Sequence, residues 1–179
     1  MAQEEAEMRS VDASRILVLD ANIMLRAVLG VRVRSLIETY CDDVPMFIPA
    51  HCVAEVREYL PSLCARRNWD FAPSIDLLEA LLTLVRVVEN GFYADFEAQA
   101  RRRIGSRDVD DWPVVALALS LDAAIWTEDT DFFGSGLPTW TTETVEIFLN
   151  DESWRLHEPP PPPYGPQTMA LEACTHASK

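Results

Sequence analysis

Residues 16–20 read Ile-Leu-Val-Leu-Asp. A short run of apolar, partly β-branched residues that ends in one acid reads as a strand buried on both faces. Such runs recur along the chain. Met46–Pro49 is a second strand, Val85–Val88 a third and Ala124–Thr127 a fourth, and Thr139–Trp140 starts a fifth. Segments with helical spacing separate them. Asn22–Leu29 and Arg34–Tyr40 are divided near Gly30, and in His51–Leu63 the residues Val53, Val56, Leu60 and Leu63 share one face. Ile75–Leu84, Tyr93–Ile104 and the almost wholly apolar Asp111–Leu121 follow. Thr142–Leu149 closes the series, with Thr142 as its N-cap. Strands alternating with helices predict an α/β fold around a mainly parallel sheet.

The chain has 179 residues, 49% of them hydrophobic, which suffices for one sizeable core. The expected division is an acidic N-terminal segment over 1–14, a folded unit over 15–150 and a proline-rich tail over 151–179. Six of the twelve prolines lie between Pro159 and Pro166, where polyproline II is expected. Cysteines stand at 41, 52, 64 and 174, without CxxC or zinc-site spacing. Cys41, Cys52 and Cys64 read as small buried residues. The acidic N-terminal segment lacks the features of a secretory signal, and no apolar run approaches the roughly 18 residues that cross a membrane. The expected location is the cytoplasm.

Charge narrows the function. Twenty-nine acids face 15 basic residues, for a net charge of −14. A chain that bound nucleic acid by bulk counterion release would be basic. The excess acid is either a solvated surface or a group of carboxylates around a divalent cation. In parallel sheets, ligands sit beyond the carboxyl ends of the strands. Asp20 ends the first strand, and Asp129 and Asp131 follow the fourth. Asp108, Asp110 and Asp111 open the helix before that fourth strand. Glu55 lies on the helix after the second strand and borders its apolar stripe, whereas Glu58 points to solvent. Each acid alone has a dull explanation: Asp20 in a turn, Asp110 as a helix cap with Asp111 in the first turn, Asp129 and Asp131 as loop formers, Glu55 on a helix surface. Together they are expected at one edge. Carboxylates gathered there would resist ionising without a cation, and Mg²⁺ or Mn²⁺ would relieve that cost.

The segments LVLDANIML, HCVAEVREYL and DVDDWPVVALALSLDAAIWTEDTDFF, in that order, resemble the PIN-domain ribonucleases, including the VapC group of toxin–antitoxin systems. The resemblance covers about residues 15–145. It implies a three-layer α/β/α fold with a four- or five-stranded sheet, and hydrolysis of RNA phosphodiester bonds with one or two Mg²⁺ or Mn²⁺ ions. Asp20, Glu55, Asp111 and Asp129 match the acids, Asp110 competes with Asp111, and Asp131 is either a further ligand or a brace for its loop. Asn22, Thr127 and Asp110 are then the groups that orient ligands or waters. The resemblance also implies an antitoxin partner if the chain is a toxin, and a homodimer.

Phosphate contacts are expected from Arg101, Arg102, Arg103 and Arg107, four guanidiniums in seven residues beside the Asp108–Asp111 group. The competing reading is a solvated helix end. Arg66 and Arg67 form a second, weaker patch, and Trp69 and Trp112 are either stacking platforms or rim residues. A haloacid-dehalogenase-type phosphatase would want an Asp where Asn22 stands and a Lys in the core, yet the chain's one Lys is Lys179. The remaining alternative is a PIN-like scaffold that binds protein or RNA without cutting.

Overall fold

The computed structural model describes residues 15–105 and 110–150. The expected segments 1–14 and 151–179, together with Arg107 and Asp108, lie outside the described residues. Five strands form one wholly parallel sheet: β1 (Leu17–Leu19), β2 (Met46–Pro49), β3 (Arg86–Val88), β4 (Ala124–Trp126) and β5 (Thr139–Trp140), in the order β3-β2-β1-β4-β5. β1 is central and fully buried, as its uninterrupted apolar run demands. From β1 the chain builds outward through β2 to β3 and then crosses to β4 on the opposite side. The gap between the ends of β1 and β4 is therefore the topological switch point, where open α/β sheets place their ligands.

The helices fall into two packed groups. α1 (Ala21–Leu29), α2 (Arg32–Tyr40), α3 (Ala50–Arg67) and α4 (Phe71–Leu81) pack on one another. α5 (Asn90–Tyr93), α6 (Glu97–Ile104) and α7 (Trp112–Leu121) form the second group, with α7 lying on β1, β2 and β4. Residues Pro113–Ala118 of α7 are all buried, which is why its sequence shows no polar face. α8 (Val145–Asn150) closes the fold, and the Arg15 guanidinium donates to the carbonyls of Phe148 and Leu149 at its end. Residues at the two ends of the described fold are thereby tied together by a cation on C-terminal helix carbonyls. No helix among the described residues is long and apolar enough to cross a membrane.

Several sequence expectations need correction. The segment expected as one helix over Tyr93–Ile104 is broken: a short helix ends at Tyr93, a 3₁₀ turn covers Ala94–Phe96, and α6 starts at Glu97. Thr142 is not the N-cap of the last helix, which starts at Val145. Its hydroxyl accepts from Trp126 Nε1 and its N–H donates to Glu128, while Thr144 Oγ1 receives the Thr141 N–H at the turn into α8. Asp111, not Asp110, stands at the N-cap position of α7, and its carboxylate makes no capping bond. Cys52 and Cys64 are buried, but Cys41 is only half-buried, at the end of α2 where the chain turns toward solvent.

Candidate metal and active site

Asp20 leaves β1 as the N-cap of α1, so one residue both ends the strand and aims a carboxylate along the sheet edge. Its Oδ1 accepts the Ala21 N–H at 2.6 Å. Its Oδ2 accepts from Asn22 Nδ2 at 2.5 Å and from Thr127 Oγ1 at 2.6 Å. Thr127 follows β4 and is completely buried. A hydroxyl has one proton and two lone pairs. Thr127 uses all three: it donates to Asp20 and accepts from Asn22 Nδ2 at 3.1 Å and from the Asp129 N–H at 2.9 Å. Asn22 completes the weave by accepting the Glu128 N–H at 3.2 Å. The ends of β1 and β4 are thus locked to each other by side chains as well as by the ladder.

Asp129 is half-buried at the start of a 3₁₀ turn over Thr130–Phe132, and its Oδ1 accepts the Asp131 N–H at 2.9 Å. The loop-forming role is therefore real for Asp129, and the backbone of Asp131 braces it. Glu128 points the other way. It accepts the Thr142 N–H at 2.9 Å and lies 3.8 Å from Arg26 on α1. Burial alone would raise its pKa, but Thr142, Arg26 and Arg32 together hold it below the ordinary carboxylate range.

The remaining acids come from both helical groups. Glu55, one turn into α3, is half-exposed and lies 3.7 Å from His51 Nε2. Asp111 enters from the start of α7 with its Oδ2 buried. Asp110 is exposed in the preceding turn. The electrostatics place these acids near one another. Burial raises the Asp20 pKa to about 6, against the lowering effect of the Thr127 and Ala21 hydrogen bonds, and the charges of Glu55 and Asp129 raise it further. Cys52, buried near the start of α3, has its thiol pushed well above its ordinary range, first by burial and then by the fields of Asp20, Glu55 and Asp111. The structure therefore brings Asp20, Glu55, Asp111 and Asp129 to one neighbourhood, from four separate segments. It does not close them into a ring: among the described residues, no group of three His, Cys, Asp or Glu side chains stands close enough to hold a metal ion as placed.

The expected arginine cluster divides. Arg103 donates to the carbonyls of Ser135 and Gly136 and so fastens the loop before β5. Arg101 pairs with Glu97 at 2.8 Å and lies over the Trp112 ring, next to Asp111. Arg102 is exposed on α6. Trp112 is half-buried and meets Tyr93 edge-on, whereas Trp69 is 47% exposed. Sequence reasoning missed Glu128, which lies between two singled-out residues. Its link to Arg26 spans most of the chain and has no local signature. It also missed His51 as the neighbour of Glu55, although their i,i+4 spacing on one helix is readable.

With this geometry in hand, the class is clear. The sequence profile of the PIN domain matches residues 18–150. The chain belongs to the PIN-domain family, a family of nucleases. No curated relative matches the chain at the level of sequence. Among solved structures, PAE2754 from Pyrobaculum aerophilum is similar with a TM-score of 0.59 and 18% identity, over 76% of this chain and 90% of that one. VapBC2 from Rickettsia felis, solved bound to a DNA fragment from its promoter, gives 0.53 and 13%, over 70% and 98%. FitAcB from Neisseria gonorrhoeae gives 0.50 and 20%, over 71% and 98%.

Proposed function

We propose that the chain is an endoribonuclease that depends on Mg²⁺ or Mn²⁺ and hydrolyses phosphodiester bonds of RNA in the cytoplasm. The observation that supports this most is the convergence of Asp20, Glu55, Asp111 and Asp129 at the switch point of the sheet, with the Asp20 pKa raised to about 6 by burial and by its acidic neighbours. The donor set fits the group. It offers only hard carboxylate oxygens, the chemistry that Mg²⁺ and Mn²⁺ prefer. Asp20, Glu55, Asp111 and Asp129 would hold the ion, with Asp131 at the margin. When bound, such an ion supplies a water acidic enough to attack near neutral pH and neutralises charge growing on the phosphate.

The chain's own residues do the positioning. Thr127 and Asn22 fix both the direction of the Asp20 carboxylate and the start of the Asp129 turn, so two candidate ligands move as one body. Asp110, exposed beside Asp111, is left to steady waters at the rim. Arg101, whose guanidinium lies over the Trp112 ring next to Asp111, and Arg102, exposed on the same helix, would meet phosphates, and Arg103 holds the loop before β5. Arg107 extends the same run in sequence.

The likeness to VapBC2 and FitAcB extends the reading to the toxin half of a toxin–antitoxin pair, with a homodimer as the working assembly. Co-purification with the product of an adjacent reading frame tests that extension. Two observations favour a different reading. The acids do not close on an ion as placed, and the net charge is −14, as a silent scaffold that binds protein or RNA would allow. A single assay separates the two. Labelled single-stranded RNA is incubated with Mn²⁺, with Mn²⁺ plus EDTA, and with Asp20→Asn. The nuclease reading expects cleavage in the first arm alone, and cleavage in all three arms, or in none, rejects it.

A further inference from the structure

A cavity of about 550 Å³ opens beside the acids between α1, α2 and α3. Asn22 and Glu128 both line it and both belong to the weave around Asp20 and Thr127, so the two adjoin. That size suits a nucleotide. Its floor includes Leu25, Leu29 and Leu63. Three guanidiniums from three different helices line it: Arg26, Arg32 and Arg67. Arg26 faces Glu128, Arg32 donates to the Thr142 carbonyl at 3.2 Å, and Arg67 donates to the Leu29 carbonyl at 3.4 Å. A guanidinium has five N–H donors, so those of Arg32 and Arg67 that point elsewhere remain for a ligand. Outside the cavity, Arg57 and Arg101 are taken up by acids, Glu79 and Glu97. Two carboxylates, Glu128 and Glu143, also line the cavity, and Glu128 is already engaged by Thr142 and Arg26. Arg67 also lies 5.3 Å from the centre of the exposed Trp69 ring, which is not itself part of the lining.

We propose that this cavity holds single-stranded RNA on one side of the cut, with Arg26, Arg32 and Arg67 on its phosphates and Trp69 stacking an unpaired base. The proposal rests on the nuclease reading for its direction toward the acids. The apolar floor takes a ribose or base face, the guanidiniums take phosphates, and an aromatic face beside a cation is the usual platform for single-stranded bases. The cavity is thus a second anion-binding side, across the acids from α6.

The test uses the full chain carrying Asp20→Asn, so that RNA is bound and not cut, with anisotropy of a short fluorescein-labelled single-stranded RNA in EDTA. Arg32→Gln with Arg67→Gln is expected to weaken binding roughly ten-fold or more. The salt dependence should flatten by about 0.7 for each phosphate that is no longer neutralised. Trp69→Ala is expected to weaken binding by roughly five-fold to a hundred-fold. Arg57→Gln, equal in charge change to either Arg32→Gln or Arg67→Gln alone and outside the cavity, should leave binding unchanged where each of those single variants weakens it. Arg32, Arg57, Arg67 and Trp69 are all exposed, so an unchanged melting curve is expected throughout. Binding unmoved by the cavity variants, or no RNA binding at all, overturns the proposal and leaves a protein segment as the better occupant. A parent that fails to cut while the cavity variants still weaken binding sinks the nuclease reading and spares the subsite. A parent that cuts with KM unmoved by Arg32→Gln and Arg67→Gln does the reverse.

Discussion

Asp20 and Glu55 are acids at the same sheet edge with opposite surroundings. Asp20 is 6% exposed and carries three hydrogen bonds from Ala21, Asn22 and Thr127. The Glu55 side chain is 34% exposed, 3.7 Å from a histidine that is itself half in solvent. The first region is built before any ligand arrives. The second is held by a contact of the kind that is worth little at a surface. The difference accounts for acids that share a neighbourhood without closing on an ion. One half of the site is a buried, hydrogen-bonded template, and the other half stands partly in solvent. An arrangement of this sort lowers the cost of holding buried like charges together in the absence of a cation.

Removing the template should have the largest effect. Asp20→Asn keeps the shape and loses the charge, and cleavage should fall by roughly a thousand-fold, as expected if Asp20 helps to hold the cation that stabilises charge in the transition state. Comparable rates for Asp20→Asn and the parent would mean that the rigid half has no part in the chemistry.

Stability against pH sharpens the same contrast without any RNA. In the folded chain the Asp20 pKa is about 6, whereas an unfolded Asp titrates near 3.9. Between those values the folded form keeps a proton that the unfolded form has released. In EDTA, stability from this group is therefore fullest below about pH 4 and falls as pH rises to about 6, by about 3 kcal/mol at most. Asp20→Asn should lack that decline, and Mn²⁺ at neutral pH should restore stability to the parent alone. Parallel melting-temperature profiles for the two proteins in EDTA would show that Asp20 ionises in the fold without cost.

Thr127→Val tests whether the template depends on one hydroxyl. Valine matches the shape but removes a donor to Asp20 and an acceptor for Asn22 and Asp129. Activity and Mn²⁺ affinity should each fall by roughly 10- to 100-fold, the usual effect of losing a group that orients a ligand. The equivalent loss on the partly exposed side would be far smaller, so an unaffected Thr127→Val would erase the distinction between the two regions.

Much of the rigid half is legible in the sequence because its signals are local. An acid at the end of an apolar strand, Asn two residues on, and Thr before a D-x-D turn are each visible within a few residues. The sheet follows for the same reason: Met46–Pro49 and Leu17–Leu19 can be little else than buried strands. The errors lie where distant partners decide. Thr142 looks like a helix cap, but its hydroxyl and N–H are taken by Trp126 and Glu128, from a strand and loop well upstream. The break at Ala94–Phe96 carries no Gly or Pro to announce it. The arginines at 101–103 look like one patch in sequence. In the fold, one fastens a loop, one pairs within its helix and one faces solvent, while Arg26, Arg32 and Arg67 gather from three helices that no local pattern connects.

The smallest expected effect probes the partly exposed side. His51 lies 3.7 Å from Glu55, one turn earlier on α3. If that contact were what positions Glu55, His51→Ala would impair Mn²⁺ binding nearly as much as Thr127→Val. The exposure of both side chains argues otherwise, since an exposed i,i+4 pair contributes about 0.3–0.5 kcal/mol. His51→Ala should therefore shift Mn²⁺ affinity by roughly two-fold, as measured by titration calorimetry. Glu55→Gln in the same titration should cost far more, because it removes a proposed ligand and not its neighbour. A ten-fold loss for His51→Ala would show instead that Glu55 is held as firmly as Asp20, and that the site is rigid on both sides.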